Sequence, residues 1–255
     1  MPLNPILTAA SSPSVITVLL AIASVLAACS ALSSTLHLGR PQFAYRAILG
    51  FGHSWLSREI VAFGGFIPLC GLSAVLSFMN SPWLNASLAT AAFLGITGMA
   101  ASVMIYHVTH RPFWNAIRSA PAFVSTALGA GSSIVVLALL LSNSTDSDVV
   151  RMLACATWLS ALVKLATCIP VTSSHPALSE SLQLLATNFR WQVRLQTGSG
   201  LTLFGMGMLL VVWPVGSPSI GFASVAVIAA LCADFTERYL FFRAVVPLRM
   251  PGVSK

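Results

Sequence analysis

His37 and Glu59 bracket the most chemically loaded stretch of this sequence, with Arg40, Phe43, Tyr45, Arg46, Trp55 and Arg58 between them. An imidazole titrates near neutral pH and a carboxylate serves as an acid–base partner, so the two together can exchange a pair of protons with one ligand. A lipid-soluble quinol needs that set: a hydrogen-bond partner at each ring oxygen, an acid–base group near working pH, and flat apolar walls for the ring. His37 and Glu59 are therefore the expected acid–base pair. Arg40, Tyr45, Trp55 and Arg58 are the expected pocket residues, with Arg58 keeping the Glu59 carboxylate ionised until a ring binds.

Histidine also suggests haem, which needs two imidazoles facing each other at one depth from separate helices. His37, His107 and His110 fall at or beyond helix ends, and His53 and His175 lie in loops, so no haem is expected. The five cysteines (Cys29, Cys70, Cys155, Cys168, Cys232) show no metal-binding spacing and read as buried small hydrophobes. Near the C-terminus, Asp234 and Arg238 stand four residues apart, which predicts an intrahelical ion pair, and Glu237 points towards a neighbouring helix. Lys164 is the one cation well inside an apolar run and is expected to snorkel to the membrane edge.

These residues need elements to hold them, and composition fixes which kind. Only thirteen Lys and Arg and six Asp and Glu occur in 255 residues, and the mean hydropathy is +0.87. A soluble domain carries roughly a quarter charged residues, so the chain is an integral membrane protein. Seven apolar runs are long enough to cross the bilayer as helices: residues 15–36, 59–79, 83–106, 120–142, 149–171, 193–213 and 220–240. The alternating short segments of a transmembrane β-barrel are missing. An all-α, polytopic bundle forming one anchor domain over residues 1–255 is the expected fold. Residues 1–14 hold no Lys or Arg, so the first run reads as a retained span rather than a signal peptide. Gly39 and Pro41 end that span, Ser57 is expected to cap the second, and Glu59 to lie in its first turn.

Charge is distributed unevenly between alternate loops. Arg40, Arg46 and Arg58, then Arg111 and Arg118, then Arg190 and Arg194, and finally Arg238, Arg243, Arg249 and Lys255 all fall on one side. The other side receives the uncharged N-terminal segment, the Asn80-Ser81-Pro82 turn, the Asp146/Asp148 loop with Arg151, and the turn over residues 214–219. The positive-inside rule places the basic face in the cytoplasm, with the N-terminus outside and the C-terminus inside a cell inner membrane. A basic face also suits an acidic extramembrane partner. No nucleic-acid partner is expected, and neither an internal repeat nor a domain boundary is visible.

Four segments in order, His37-Leu38-Gly39-Arg40-Pro41, Ser54-Trp55-Leu56-Ser57-Arg58-Glu59, Met104-Ile105-Tyr106 and Glu237-Arg238-Tyr239-Leu240-Phe241-Phe242, resemble the membrane anchor subunit of dimethyl-sulfoxide-reductase-type molybdoenzymes. The resemblance covers most of the chain. It implies a subunit that is not itself the reductase, holds an iron–sulfur subunit and a molybdopterin catalytic subunit at the basic face, carries no haem, and exchanges electrons with quinone or menaquinone. The iron–sulfur clusters and molybdopterin would lie in those partners, and the family's functional His and acidic residue fall on His37 and Glu59. That family usually has eight spans, and this chain is expected to lack the first. A secondary transporter is the alternative, but apart from Lys164 the spans hold almost no ionisable groups away from their ends. A retinal protein would need a lysine in the seventh span, which has none.

Overall fold

The computed structural model describes residues 13–36, 41–142, 146–168 and 176–246. Among these residues the chain is helical and contains no strand. Eight α-helices follow in order: α1 (Pro13–Leu36), α2 (Trp55–Phe78), α3 (Leu84–His107), α4 (Ala116–Leu141), α5 (Ser147–Thr167), α6 (Pro176–Thr187), α7 (Arg190–Val212) and α8 (Ser217–Arg243). All but α6 are long and apolar enough to cross a membrane, which gives the seven expected spans. Two 3₁₀ segments, Pro41–Gly50 and Pro112–Trp114, lie in connections that hydropathy reads only as loops.

Several helices begin before the apolar run does, because their caps are polar. The second span starts at Trp55 rather than at Glu59, with Ser54 as its cap accepting from the Ser57 amide at 3.4 Å. Ser57 is therefore not the cap: it is buried inside the first turn, with its hydroxyl 2.8 Å from where a Cβ on Gly50 would stand. Glu59 falls past the first turn, so its place there is corrected too. Asn115 caps α4 by accepting from the Arg118 amide, and Asp146 caps α5 by accepting from the amides of Asp148 and Val149.

The chain forms two compact units, one running to Ile105 and the other starting at Tyr106. In the first, glycines receive the large side chains of the facing helix. Phe63 and Phe66 of α2 lie where Cβ atoms on Gly98 and Gly95 of α3 would stand, and Leu94 of α3 lies likewise on Gly65. Buried hydroxyls join the helices: Ser73 to Ser87 at 2.7 Å between α2 and α3, and Ser24 of α1 to the Ile67 carbonyl at 3.2 Å. Lipid offers no hydrophobic drive for helices to associate, so close fit and such hydrogen bonds do the work.

In the second unit, α8 turns a face of small residues inward: Ser219, Ala223, Ala226, Ala230 and Ala233. Val136, Leu140, Val150, Ala154 and Leu210 fill one end of the core, and Ala161 and Leu203 the other. Ser132 and Thr157 share a buried hydrogen bond of 2.7 Å between α4 and α5. A close backbone approach joins α7 to α5, where a Cβ on Gly207 would stand 3.1 Å from the backbone of Trp158. Backbone cannot step aside as a side-chain tip can. Gly207→Ala should therefore destabilise the protein by about 1–3 kcal/mol, whereas Gly205→Ala on the same helix, with open space at its Cβ, should be tolerated. Thermal unfolding of the two variants in detergent measures the difference.

Candidate functional site

Of the residues expected to bind a ring, His37 and Arg40 lie outside the described residues. The others are divided by helix geometry. Trp55, Arg58 and Glu59 share the start of α2, while Tyr45 stands exposed on the preceding 3₁₀ helix. The Arg58 guanidinium lies 4.3 Å above the Trp55 ring and donates to the carbonyls of Phe51 at 3.1 Å and Gly52 at 3.0 Å. It thus braces the loop and does not hold Glu59, which corrects the expected pairing: consecutive residues on a helix do not face each other.

Glu59 faces α3 instead, where the Ser102 hydroxyl donates to its carboxylate. Ser102 also lies 3.1 Å from the Gly98 carbonyl one turn back. A hydroxyl has one proton to give and two lone pairs to receive. Ser102 gives its proton to the Glu59 carboxylate and keeps lone pairs that can accept from a further donor. Ser102 carries no signal in the sequence; only the side-chain contact between α2 and α3 shows it.

The second unit buries a larger ionic group. Lys164 of α5 is 2% exposed, and its ammonium contacts Asp234 and lies 2.9 Å from Glu237, both on α8. Thr126 of α4 joins them, with its hydroxyl 3.0 Å from Asp234 and 3.3 Å from the Lys164 nitrogen. Lys164 therefore does not snorkel: two carboxylates three residues apart on α8 meet it inside the bundle. Asp234 likewise pairs with Lys164 rather than Arg238, whose guanidinium lies 3.7 Å above the Phe123 ring. Glu237 reaches a neighbouring helix as expected. One lysine and two acids near the same ends of two spans were the available signal.

Two of the sequence segments that share a resemblance meet here. Tyr106 packs against Phe241 and Phe242 with ring centroids 5.0 and 5.9 Å away, and Trp114 donates its indole N–H to the Phe241 carbonyl at 2.8 Å. The arginines of this region rest on rings too, Arg111 on Trp114 and Arg118 on Phe113. Of the described histidines, His53 and His110 are exposed, and His107 accepts from the Ala116 amide at 3.4 Å; His175, like His37, lies outside the described residues. Among the described residues no group of His, Cys, Asp and Glu could hold a metal ion. The cysteines are free, and only Cys70 is fully buried; Cys29, Cys155 and Cys232 lie on the outer surface, which corrects their expected burial.

Comparison with known proteins accords with this architecture. The family described as DMSO reductase anchor subunit (DmsC) matches residues 8–243. A relative from Haemophilus influenzae, the C subunit of an anaerobic dimethyl sulfoxide reductase, is 26% identical over 218 residues, covering 83% of this protein and 75% of the relative. No solved structure matches. The seven spans and a family match running through nearly all of them identify this multi-pass membrane protein as a member of the DMSO reductase anchor subunit family.

Proposed function

We propose that the chain holds an iron–sulfur electron-transfer subunit and a molybdopterin catalytic subunit to the inner membrane and exchanges electrons with the quinone pool. The observation that carries this reading is the family match over residues 8–243. The relative's name links it to reduction of dimethyl sulfoxide. In this reading the basic loops and C-terminus are cytoplasmic, the N-terminus is outside, and the partners dock on the basic side. Arginines stacked on rings suit that role, because stacking fixes the guanidinium plane while leaving its edge N–H groups for partner carboxylates. Arg46 over Phe43 at 4.5 Å and Arg111 over Trp114 at 4.8 Å are two such groups.

A quinol is the substrate of this reading, and the residues around Glu59 fit it. The carboxylate is half-buried near the start of a span, the Ser102 hydroxyl donates to it, and the Trp55 ring lies one turn away. In the proposal Glu59 takes one proton from the ring and passes it towards water, Ser102 positions it, and His37 handles the other proton.

Purification in mild detergent should bring down a partner with iron and molybdenum, without a Soret band from haem; recovery of the chain as a functional monomer would count against the anchor reading. Replacing His37 by Ala or Glu59 by Gln should leave the complex assembled and active with soluble redox dyes, yet slow electron exchange with a quinol analogue about 10²–10⁴-fold. Ser102→Ala removes one hydrogen bond to a charged group, worth about 1.5–3 kcal/mol, and should slow quinol exchange roughly 10–100-fold with dye activity unchanged. Normal quinol kinetics in all three variants would reduce the pair to interfacial structure.

A further inference from the structure

A cavity of about 620 Å³ lies in the second unit among α4, α5, α6, α7 and α8, a size typical of small-ligand sites. Its walls are mainly apolar, with Phe113 and Phe241 among its rings and Leu182 contributed by the short amphipathic helix α6. Two charged side chains reach it, Arg118 and Glu237, and they make no ion pair with each other. Among the described residues no carboxylate or carbonyl accepts from the Arg118 side chain, which rests on the Phe113 ring at 5.1 Å. Glu237 is held from behind by Lys164. The cavity is thus an apolar box with a free donor on one wall and a carboxylate on another.

The two poles also differ in depth. Arg118 is the third residue of α4, whereas Glu237 lies six residues before the end of α8, and these two helix ends fall on the same side of the membrane. At about 1.5 Å per residue, Glu237 is deeper by roughly 6 Å. A phospholipid seated with its phosphate on Arg118 would lay acyl chain against Glu237, a mismatch that disfavours it. A flat ring with an oxygen at each end meets both poles, accepting from Arg118 and donating a hydroxyl hydrogen to Glu237. Pro121, also on the wall, has no N–H to give the Ile117 carbonyl one turn back, which leaves a further acceptor at the same edge.

We propose that this cavity is a second binding site, separate from the Glu59 region, for the head of a lipid-soluble hydroquinone, gripped between Arg118 and Glu237. The proposal concerns binding and rests on the reading that the chain meets the quinone pool.

The test uses the purified complex in zwitterionic phosphatidylcholine nanodiscs with an azido-naphthoquinone photoprobe held anaerobically in its hydroquinone form, and peptide mapping. Label is expected on residues 113–122 and 182–196, competed by unlabelled naphthoquinone reduced in the same way. Arg118→Met and Glu237→Gln should each lower that label about tenfold, the loss set by one charge-assisted hydrogen bond. Ala166→Trp, which fills the cavity without touching either pole, should do the same while leaving any label on residues 41–63 intact. Arg118→Met keeps the side-chain volume and serves if the tryptophan variant fails to fold. Label confined to residues 41–63 would overturn the second site and leave the proposed function standing. Cavity label displaced by phosphatidylglycerol but not by naphthoquinone would overturn it in favour of an anionic-lipid site. Absence of label from both regions would overturn it together with the quinone reading.

Discussion

Hydrocarbon offers no hydrogen bonds, so polar groups carried into a span are driven to find partners within the protein. The rest of the structure follows from that constraint. Ser73 meets Ser87, Ser132 meets Thr157, and Lys164 meets two carboxylates and a threonine, each pair drawn from different helices. These contacts need helices near enough to touch, and the glycines and alanines along α3, α7 and α8 provide that nearness. The ionic group is the extreme case. Removing one member of a buried pair typically costs about 3–5 kcal/mol because the other charge is left stranded, so α4, α5 and α8 are held in one mutual arrangement.

The two polar groups differ in kind. Lys164 is enclosed by acceptors that depend on its charge, and that fixity suits a structural lock. Ser102 sits between the Glu59 carboxylate and the Gly98 carbonyl, within hydrogen-bond reach of both. Glu59 is half-buried near the start of its span, whereas Lys164 is enclosed.

The seven spans were legible because an unbroken apolar run of bilayer length has one common meaning. Their starts were not, because Ser54, Asn115 and Asp146 lie upstream of the runs and act through side-chain geometry that hydropathy does not register. Helix α6 is not legible because its twelve residues hold only four leucines, among Ser, Glu, Gln and Thr, and are too short and too polar to resemble a span. At the candidate site, Glu59 was legible as a carboxylate at a membrane edge. Ser102, 43 residues away, was not. The partners of Lys164 lie 70 and 73 residues away on another helix, so one buried lysine read alone pointed to the interface instead.

The 3₁₀ helix over Pro41–Gly50 is long for its kind, since such runs seldom exceed three or four residues. Its threefold winding stacks residues i and i+3, and Arg46 accordingly lies over Phe43. At about 2.0 Å per residue its ten residues span roughly 20 Å, against about 15 Å for the same residues wound as an α-helix. The length of this segment therefore depends on its winding. A change of winding alone shortens it by about one helical turn and rotates Arg46 some 60° off the Phe43 ring, so its length and the aim of its guanidinium are set together.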